Sequence, residues 1–512
     1  MRSLIIHGHF YQPPRENPWT ERIDPEPDAA PFHDWNERIH AECYGPNSAV
    51  RITDPLKGER IINNYANISF DFGPTLLSWI ERQHPATYSK IIAADAGSLA
   101  RFNGHGNAIA QAYNHAILPL CNERDRLTQI RWGVADFRYR FGREPEAMWL
   151  PETACNDDVL DSLIDHRLRY VILAPQQAAR IRDSSSASWQ EVSKNRIDTS
   201  VPYIRYHRNG SGKSLPVFFY DPDIAHAIAF EQALSSSAAL AERIAGRPGS
   251  SGMVNVATDG ESYGHHHKFG DLGLAHLIET AAPARGFRVT NYGEYLDQQS
   301  PSVEVEIDNG PAGEGSSWSC THGVGRWTRD CGCHTGGGDN WNQAWRTPLR
   351  AALDFLRDEA ARAFEATRSE LFIDPWAARD ESIKLVLDQL ESRQLFLQHH
   401  APQQFTGEQE QRALAFLEMQ RNALLMFTSC GWFFNDIGRI EPIQILKYAS
   451  RVIELMRDLK LPSPRQRFLE IFAEAKSNRP ELGNGSDIYR CLVEPSNPSF
   501  DPTRGTLAQV TA

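Results

Sequence analysis

With 512 residues, the chain is too long for one ordinary compact domain, although a (β/α) barrel alone takes up about 250, so two or three units are expected. A hydrophobic fraction of 41%, an aromatic fraction of 10% and 12 tryptophans exclude a disordered or fibrous chain. The net charge of −12 argues against a nucleic-acid backbone or an anionic membrane surface as partner.

Met1-Arg2-Ser3-Leu4-Ile5-Ile6-His7 has a short apolar stretch that reads as a first strand and not as a signal peptide. No stretch approaches the roughly 18 to 20 apolar residues of a membrane span. Eight cysteines in a chain of this length form no dense disulfide pattern, which points to a reducing cytoplasm. Up to about residue 300, short apolar runs alternate with segments of helical length, the pattern of a parallel β/α fold. Leu4–Ile6, Ile68–Phe70, Ala147–Leu150, Tyr170–Leu173, Pro216–Tyr220 and Met253–Ala257 are read as buried strands. A barrel and a doubly wound sheet are not separated by these runs.

Between Gln176 and Ser214 the pattern lapses into Ser, Arg, Lys and Gly, which predicts an insertion or mobile loop. Gly210-Ser211-Gly212-Lys213-Ser214 ends like a phosphate loop, but His207 stands where that motif needs glycine, so a loop tip is expected. From about residue 345 helical periods take over. Thr347-Pro348 reads as an N-cap followed by proline at the first helical position, with Leu349, Leu353, Leu356, Ala360 and Phe364 on one face. Ile383, Val386, Leu387 and Leu390 form a second apolar face, and Ile445, Leu446, Ala449, Val452, Ile453 and Met456 a third, so a bundle is expected. The expected organisation is a catalytic unit over 1–300, a Gly/Cys/Trp-rich connector over 301–345, a helical unit over 346–494 and a frayed tail over 495–512.

Two segments place a carboxylate just after an apolar run: Trp149-Leu150-Pro151-Glu152 and Thr258-Asp259-Gly260-Glu261. Two carboxyl groups on one substrate are the minimal equipment for breaking a glycosidic bond, one to protonate the leaving oxygen and one to attack the anomeric carbon. Gly260 would permit close approach by substrate. A lone acid at a strand end is otherwise a helix cap or an ion-pair partner.

These segments resemble glycoside hydrolase family 57. Trp149-Leu150-Pro151-Glu152 is similar to the family segment whose glutamate is the nucleophile. Thr258-Asp259-Gly260-Glu261-Ser262-Tyr263-Gly264-His265 is similar to the later segment whose aspartate is the general acid/base. Tyr113-Asn114-His115 ahead of Leu118-Pro119-Leu120 matches a segment with a substrate-binding histidine. His7-Gly8-His9-Phe10-Tyr11-Gln12-Pro13 holds the parts of the N-terminal motif, with Phe10 and Tyr11 intervening. The resemblance covers about residues 1 to 300 and implies an incomplete (β/α)7 barrel followed by a helical bundle. Its nearest likeness is a branch with its own C-terminal domain of unknown function, carried by Trp318-Ser319-Cys320-Thr321-His322-Gly323 and Asp330-Cys331-Gly332-Cys333-His334.

The resemblance implies a retaining hydrolase or glucanotransferase acting on an α-glucan or malto-oligosaccharide without a cofactor, with Glu152 as nucleophile and Asp259 as acid/base. Substrate contacts are expected from His7, His9, Gln12, His115, Glu261 and His265, and from the rings of Trp149, Tyr263, Trp318 and Trp327. Glu261, two positions beyond Asp259 on an extended chain, points the same way and competes for the acid/base role. Cys320, Cys331, Cys333 and His334, with His322 nearby, offer soft ligands for a structural zinc, but a Gly-rich loop with buried thiols explains them too, and no metal is assigned. The rivals are a metal-dependent carbohydrate deacetylase and a glucan-binding protein without turnover.

Overall fold

The structure is a computed structural model that describes residues 2–54, 58–183, 186, 188–192, 196–247, 252–387 and 391–499. Seven strands form the barrel of the N-terminal half, with Phe287–Val289 pairing parallel to the start of the first: β1 (Arg2–Phe10), β2 (Ser69–Phe72), β3 (Ala110–Gln111), β4 (Met148–Trp149), β5 (Val171–Leu173), β6 (Ser214–Phe219) and β7 (Met253–Asp259). β1 pairs with β7 on one side and β2 on the other, with His9 level with both Asp71 and Asp259. Parallel bridges carry the sheet on from Phe70 to Ala108, through the β3–β4 pair, from Ala147 to Tyr170, and through the β5–β6 pair. Between β6 and β7 the closure is thin: Asp221 N–H donates to Asn255 O, and the Asn255 amide donates to Phe219 O. The result is the incomplete seven-stranded barrel. Continuous apolar runs suit it because its strands are covered on both faces.

The six strand runs read from the sequence all lie on barrel strands. β3 is not among them, because it is two residues long and leans on alanines. The expectation of a loop over Gln176–Ser214 is corrected: Ala178–Asp183, Gln190–Glu191 and Tyr203–Tyr206 are strands, in one sheet with β6 and with Val303–Ile307. Arg180 and Arg182 pair across the strands with Glu306 and Glu304, while Val305 is buried between them. The arginines that mask the alternation in sequence thus hold the pairing. Gly210 and Gly212, both with positive φ, lie in the turn between Tyr203–Tyr206 and β6, a hairpin tip and not a phosphate loop.

A second apolar core joins α1 (Arg346–Glu365), α2 (Gly407–Leu425) and α3 (Ile440–Asp458). Helix α1 starts earlier than predicted, with Trp345 at the cap position, so Thr347 and Pro348 lie inside the first turn. Arg346 is anchored there on Cys333 O, and Pro348 still falls where the helix needs no N–H donor. Ile383–Leu387 is helical, whereas Leu390 lies outside the described residues. The predicted tail is pinned where it begins: Asn17 donates to Ser496 O and Asn497 to Glu454. Residues 500–512 lie outside the description. The connector contributes Cys320, Val324 and Trp327 to the helical core. No described helix is long and apolar enough to cross a membrane.

Candidate active site

The site lies at the C-terminal ends of the barrel strands, where loops are free to carry chemistry on a rigid base. At its floor is Asp71 of β2, fully buried. Asp71 Oδ1 is 3.0 Å from His7 Nε2, and Oδ2 is 2.9 Å from His9 Nδ1. His9 Nε2 lies 3.1 Å from His115 Nε2, and His115 Nδ1 lies 2.6 Å from Ser429 Oγ.

The direction of these bonds follows from charge. Burial pushes the His9 pKa down, but Asp71, then Asp259 and Glu261, outweigh it and raise it to about 9. His115 is driven well below its ordinary range by burial and then by the His9 charge. A cationic His9 therefore donates from both nitrogens, to Asp71 and to a neutral His115, which donates onward to Ser429. The imidazoles of His7 and His9 stack on Trp149 at 4.8 and 5.0 Å; the indole face favours the His9 cation, whereas burial lowers the His7 pKa. Tyr11 stacks on His115 at 3.6 Å.

Asp71→Ala would leave the His9 cation buried and unpaired. A loss of about 3 to 5 kcal/mol of stability is expected, read from denaturant or thermal unfolding. Asp71→Asn, which keeps the shape, should lose less. Equal unfolding midpoints for wild type and Asp71→Ala would remove the charged pair from this description.

Glu152 follows β4 through Pro151, and its backbone is left-handed, with φ 59° and ψ 22°. Thr153 (φ 50°) and His115 (φ 53°) share that conformation. Three non-glycine residues held this way, each at a cost of about 1 to 3 kcal/mol, mark a place where the fold imposes backbone geometry. The connector does the holding. Ser316 and Cys155 exchange two backbone bonds of 2.9 Å, and Trp318 N–H donates to Glu152 O. Trp318 Nε1–H and the Ser319 hydroxyl then donate to Glu152 Oε2 at 3.0 and 2.6 Å. Both donors serve Oε2, and among the described residues none donates to Oε1.

Asp259 ends β7 and is exposed to the cleft, yet protein surrounds it closely enough for burial to dominate its titration. Burial, opposed by the His9 charge and helped by the charges of Glu152 and Asp71, raises it to about 6. Asp259 thus feels the charge of Glu152. Glu261 sits behind them, 5% exposed, and its Oε1 accepts from Tyr44 Oη at 2.5 Å and Tyr11 N–H at 3.1 Å. Burial, then Asp259, raise it to about 7.

Several expected contacts lie elsewhere. His7 and Trp149 are enclosed by protein and support His9 and Asp71. Tyr263 is fully buried, accepting from Thr258 Oγ1 at 2.8 Å, so its ring offers sugar no face. Trp327 is buried in the helical core and donates to Ser429 O. Gln12 is tied to Tyr11 O and to Arg15, and His265 pairs with Glu42. The space beside Gly260 is taken by Phe10 and not by substrate: a Cβ there would meet the Phe10 ring at 2.3 Å. Trp318 is the predicted ring that reaches a carboxylate. Asp71, Ser319, Tyr44 and Ser429 were missed; of these, Asp71 had a visible signal, an acid inside the run Ser69-Phe70-Asp71-Phe72.

The model of "Glycosyl hydrolase family 57" matches residues 9–307, more than half of the chain. The chain belongs to glycosyl hydrolase family 57. A "Domain of unknown function (DUF3536)" matches residues 341–508. An exo-type maltose-forming amylase from Pyrococcus sp. ST04 superposes with TM-score 0.69 at 16% identity, covering 92% of this chain and 82% of that one. A GH57-type branching enzyme from Pyrococcus horikoshii gives TM-score 0.54 at 14% identity, covering 96% and 94%. These likenesses show the fold. Alpha-amylase 1 of Dictyoglomus thermophilum is 26% identical over 107 residues, 21% of this chain and 15% of that protein's length.

Proposed function

We propose that this family 57 protein is a retaining α-glucan hydrolase or glucanotransferase in which Glu152 attacks the anomeric carbon and Asp259 handles the proton. The observation that carries the reading is the different treatment of two neighbouring carboxyls. Glu152 has Oε2 fixed by Trp318 and Ser319, while Oε1 accepts from no donor among the described residues, as an attacking group requires. Asp259 faces the cleft with its pKa raised to about 6, which lets it hold a proton to give and take one back. Glu261 is a poorer candidate for that role, because it is buried with its Oε1 already engaged.

The reaction then runs in two displacements. Glu152 forms a glycosyl ester while Asp259 protonates the departing sugar oxygen; Asp259 next deprotonates water or a sugar hydroxyl, which releases the glycosyl group with retained configuration. His9, a fixed cation between Asp71 and His115, holds positive charge beside Asp259 and Glu261. Family membership supports glycoside chemistry, and the amylase and branching-enzyme folds make an α-glucan the first substrate class to test.

Trp318→Phe keeps the ring but removes the N–H to Glu152. A charge-assisted bond is worth about 1.5 to 3 kcal/mol, so kcat should fall about 10- to 100-fold with KM little changed. An unchanged kcat would mean that Trp318 does not position Glu152. The substrate assignment is tested by incubating the protein with starch, glycogen and malto-oligosaccharides and resolving products by chain length. Shorter chains or redistributed lengths are expected. Unaltered glucans, with chelator-sensitive release of acetate from acetylated sugars, would replace this reading with the deacetylase.

A further inference from the structure

Next to the residues that hold Glu152, the connector gathers Cys320, His322, Cys331 and Cys333, one ligand atom from each, all within 4.8 Å of one another. We propose that these four residues form a structural zinc site that fixes the connector against the cleft. The site is independent of the catalytic reading; only its effect on Glu152 rests on that reading.

The separations carry the argument. Zinc binds thiolate sulfur at about 2.3 Å and imidazole nitrogen at about 2.0 to 2.1 Å, so a tetrahedral ion sets sulfurs about 3.8 Å apart and sulfur from nitrogen about 3.5 Å. Cys320 Sγ lies 3.8 Å from both Cys331 Sγ and Cys333 Sγ, and Cys333 Sγ lies 3.5 Å from His322 Nδ1. A disulfide would need about 2.05 Å. The ligands come as two pairs, Cys320 with His322 and Cys331 with Cys333, each two positions apart and so able to face one point. Gly332, at φ 83°, makes the turn between the second pair.

Charge points the same way. Arg326 and Arg346 are buried beside the cluster and donate to carbonyls, Arg326 to Ser319 O and Phe433 O, Arg346 to Cys333 O. Among the described residues neither pairs with a carboxylate. Three thiolates, a neutral imidazole and a divalent ion sum to one negative charge, which supplies these guanidinium groups with a counter-charge. A tetrahedral set of three thiolates and one imidazole is a common structural zinc site. The sequence grouped His334 with the cysteines; in the structure His334 Nδ1 accepts from Gly336 N–H, and His322 takes the fourth corner. Cys320 follows Trp318 and Ser319 directly, so a bound ion would anchor both donors to Glu152.

The test uses the untagged full-length protein purified without chelator. Elemental analysis should find one zinc per chain, and cobalt in its place should give tetrahedral ligand-field bands with thiolate charge transfer. His322→Ala should lose the retained metal while His334→Ala keeps it. If the variants do not fold, titrating the wild type with a thiol reagent should release the zinc as three thiols react. Zinc removal should also lower kcat about tenfold. Folded wild-type protein with no retained metal and no cobalt–thiolate bands, or with a disulfide among these cysteines, would overturn the site. Equal metal loss from His322→Ala and His334→Ala would overturn the ligand assignment.

Discussion

Glu152→Ala is expected to lower kcat/KM on an α-glucan by on the order of 10⁴-fold or more, because in the proposed mechanism it is Glu152 that forms the glycosyl ester. The loss should occur with the fold intact. Glu152 is only partly buried, and its two donors, Trp318 and Ser319, sit where water can replace the carboxylate. Small nucleophiles discriminate a reacting carboxylate from a binding one. In the space that Glu152→Ala opens, azide should attack the anomeric carbon of an activated α-glucosyl donor and give the β-glucosyl azide. Rescue with retained configuration, or a variant that keeps wild-type turnover, would take the nucleophile role from Glu152. The left-handed backbone adds a control: Glu152→Gly relieves the strain of φ 59° and should be at least as stable as Glu152→Ala.

Asp259→Asn should cost about 10²- to 10⁴-fold on glucans with poor leaving groups and much less on donors whose leaving group needs no proton. In the wild type the proton must be on Asp259 for the first displacement, so kcat/KM should fall as pH rises past about 6, where this carboxyl titrates. The substitution should remove that limb. Stability falls over the same pH range. Burial raises the folded pKa from 3.8 to about 6, so the folded chain holds the proton more tightly and stability is lost as pH rises through that window. Because Asp259 is exposed on its cleft side, screening leaves about 1 kcal/mol of this cost. Asp259→Asn should therefore melt roughly 1 to 2 °C higher than wild type at pH 7. A residue whose removal destroys activity and raises the melting point is held there for chemistry. A lower melting point would place Asp259 among the structural acids, and Glu261→Gln would then be the variant to compare.

The strands were legible where the barrel buries them on both faces. Val254, Val256 and their counterparts form apolar runs that no exposed segment would carry. The accessory strands were hidden because their exposed faces are paired charges, Arg182 with Glu304 and Arg180 with Glu306, which resemble a polar loop. The carboxylates could be read because glycine, proline and tryptophan cluster around them. Their support could not. Ser429 stands 314 positions from His115 and Trp318 stands 166 positions from Glu152, and the packing of the helical half and of the connector on the barrel joins them. Aromatic content misled for a related reason: Tyr263 and Trp327 flank chemistry in sequence but turn into the two apolar cores. His322 and His334 are equally good ligands on spacing alone, and the structure separates them by bringing His322 to the three sulfurs while His334 accepts from Gly336 N–H.

Everything proposed for the two carboxyls depends on double displacement, and the configuration of the first product tests it. Proton NMR spectra recorded within minutes of mixing, before mutarotation, should show the newly formed reducing end of a malto-oligosaccharide as the α-anomer, relaxing later to the mixture. A β-anomer appearing first would mean that water attacks directly from the opposite face, and Glu152 would then be a base and not the nucleophile.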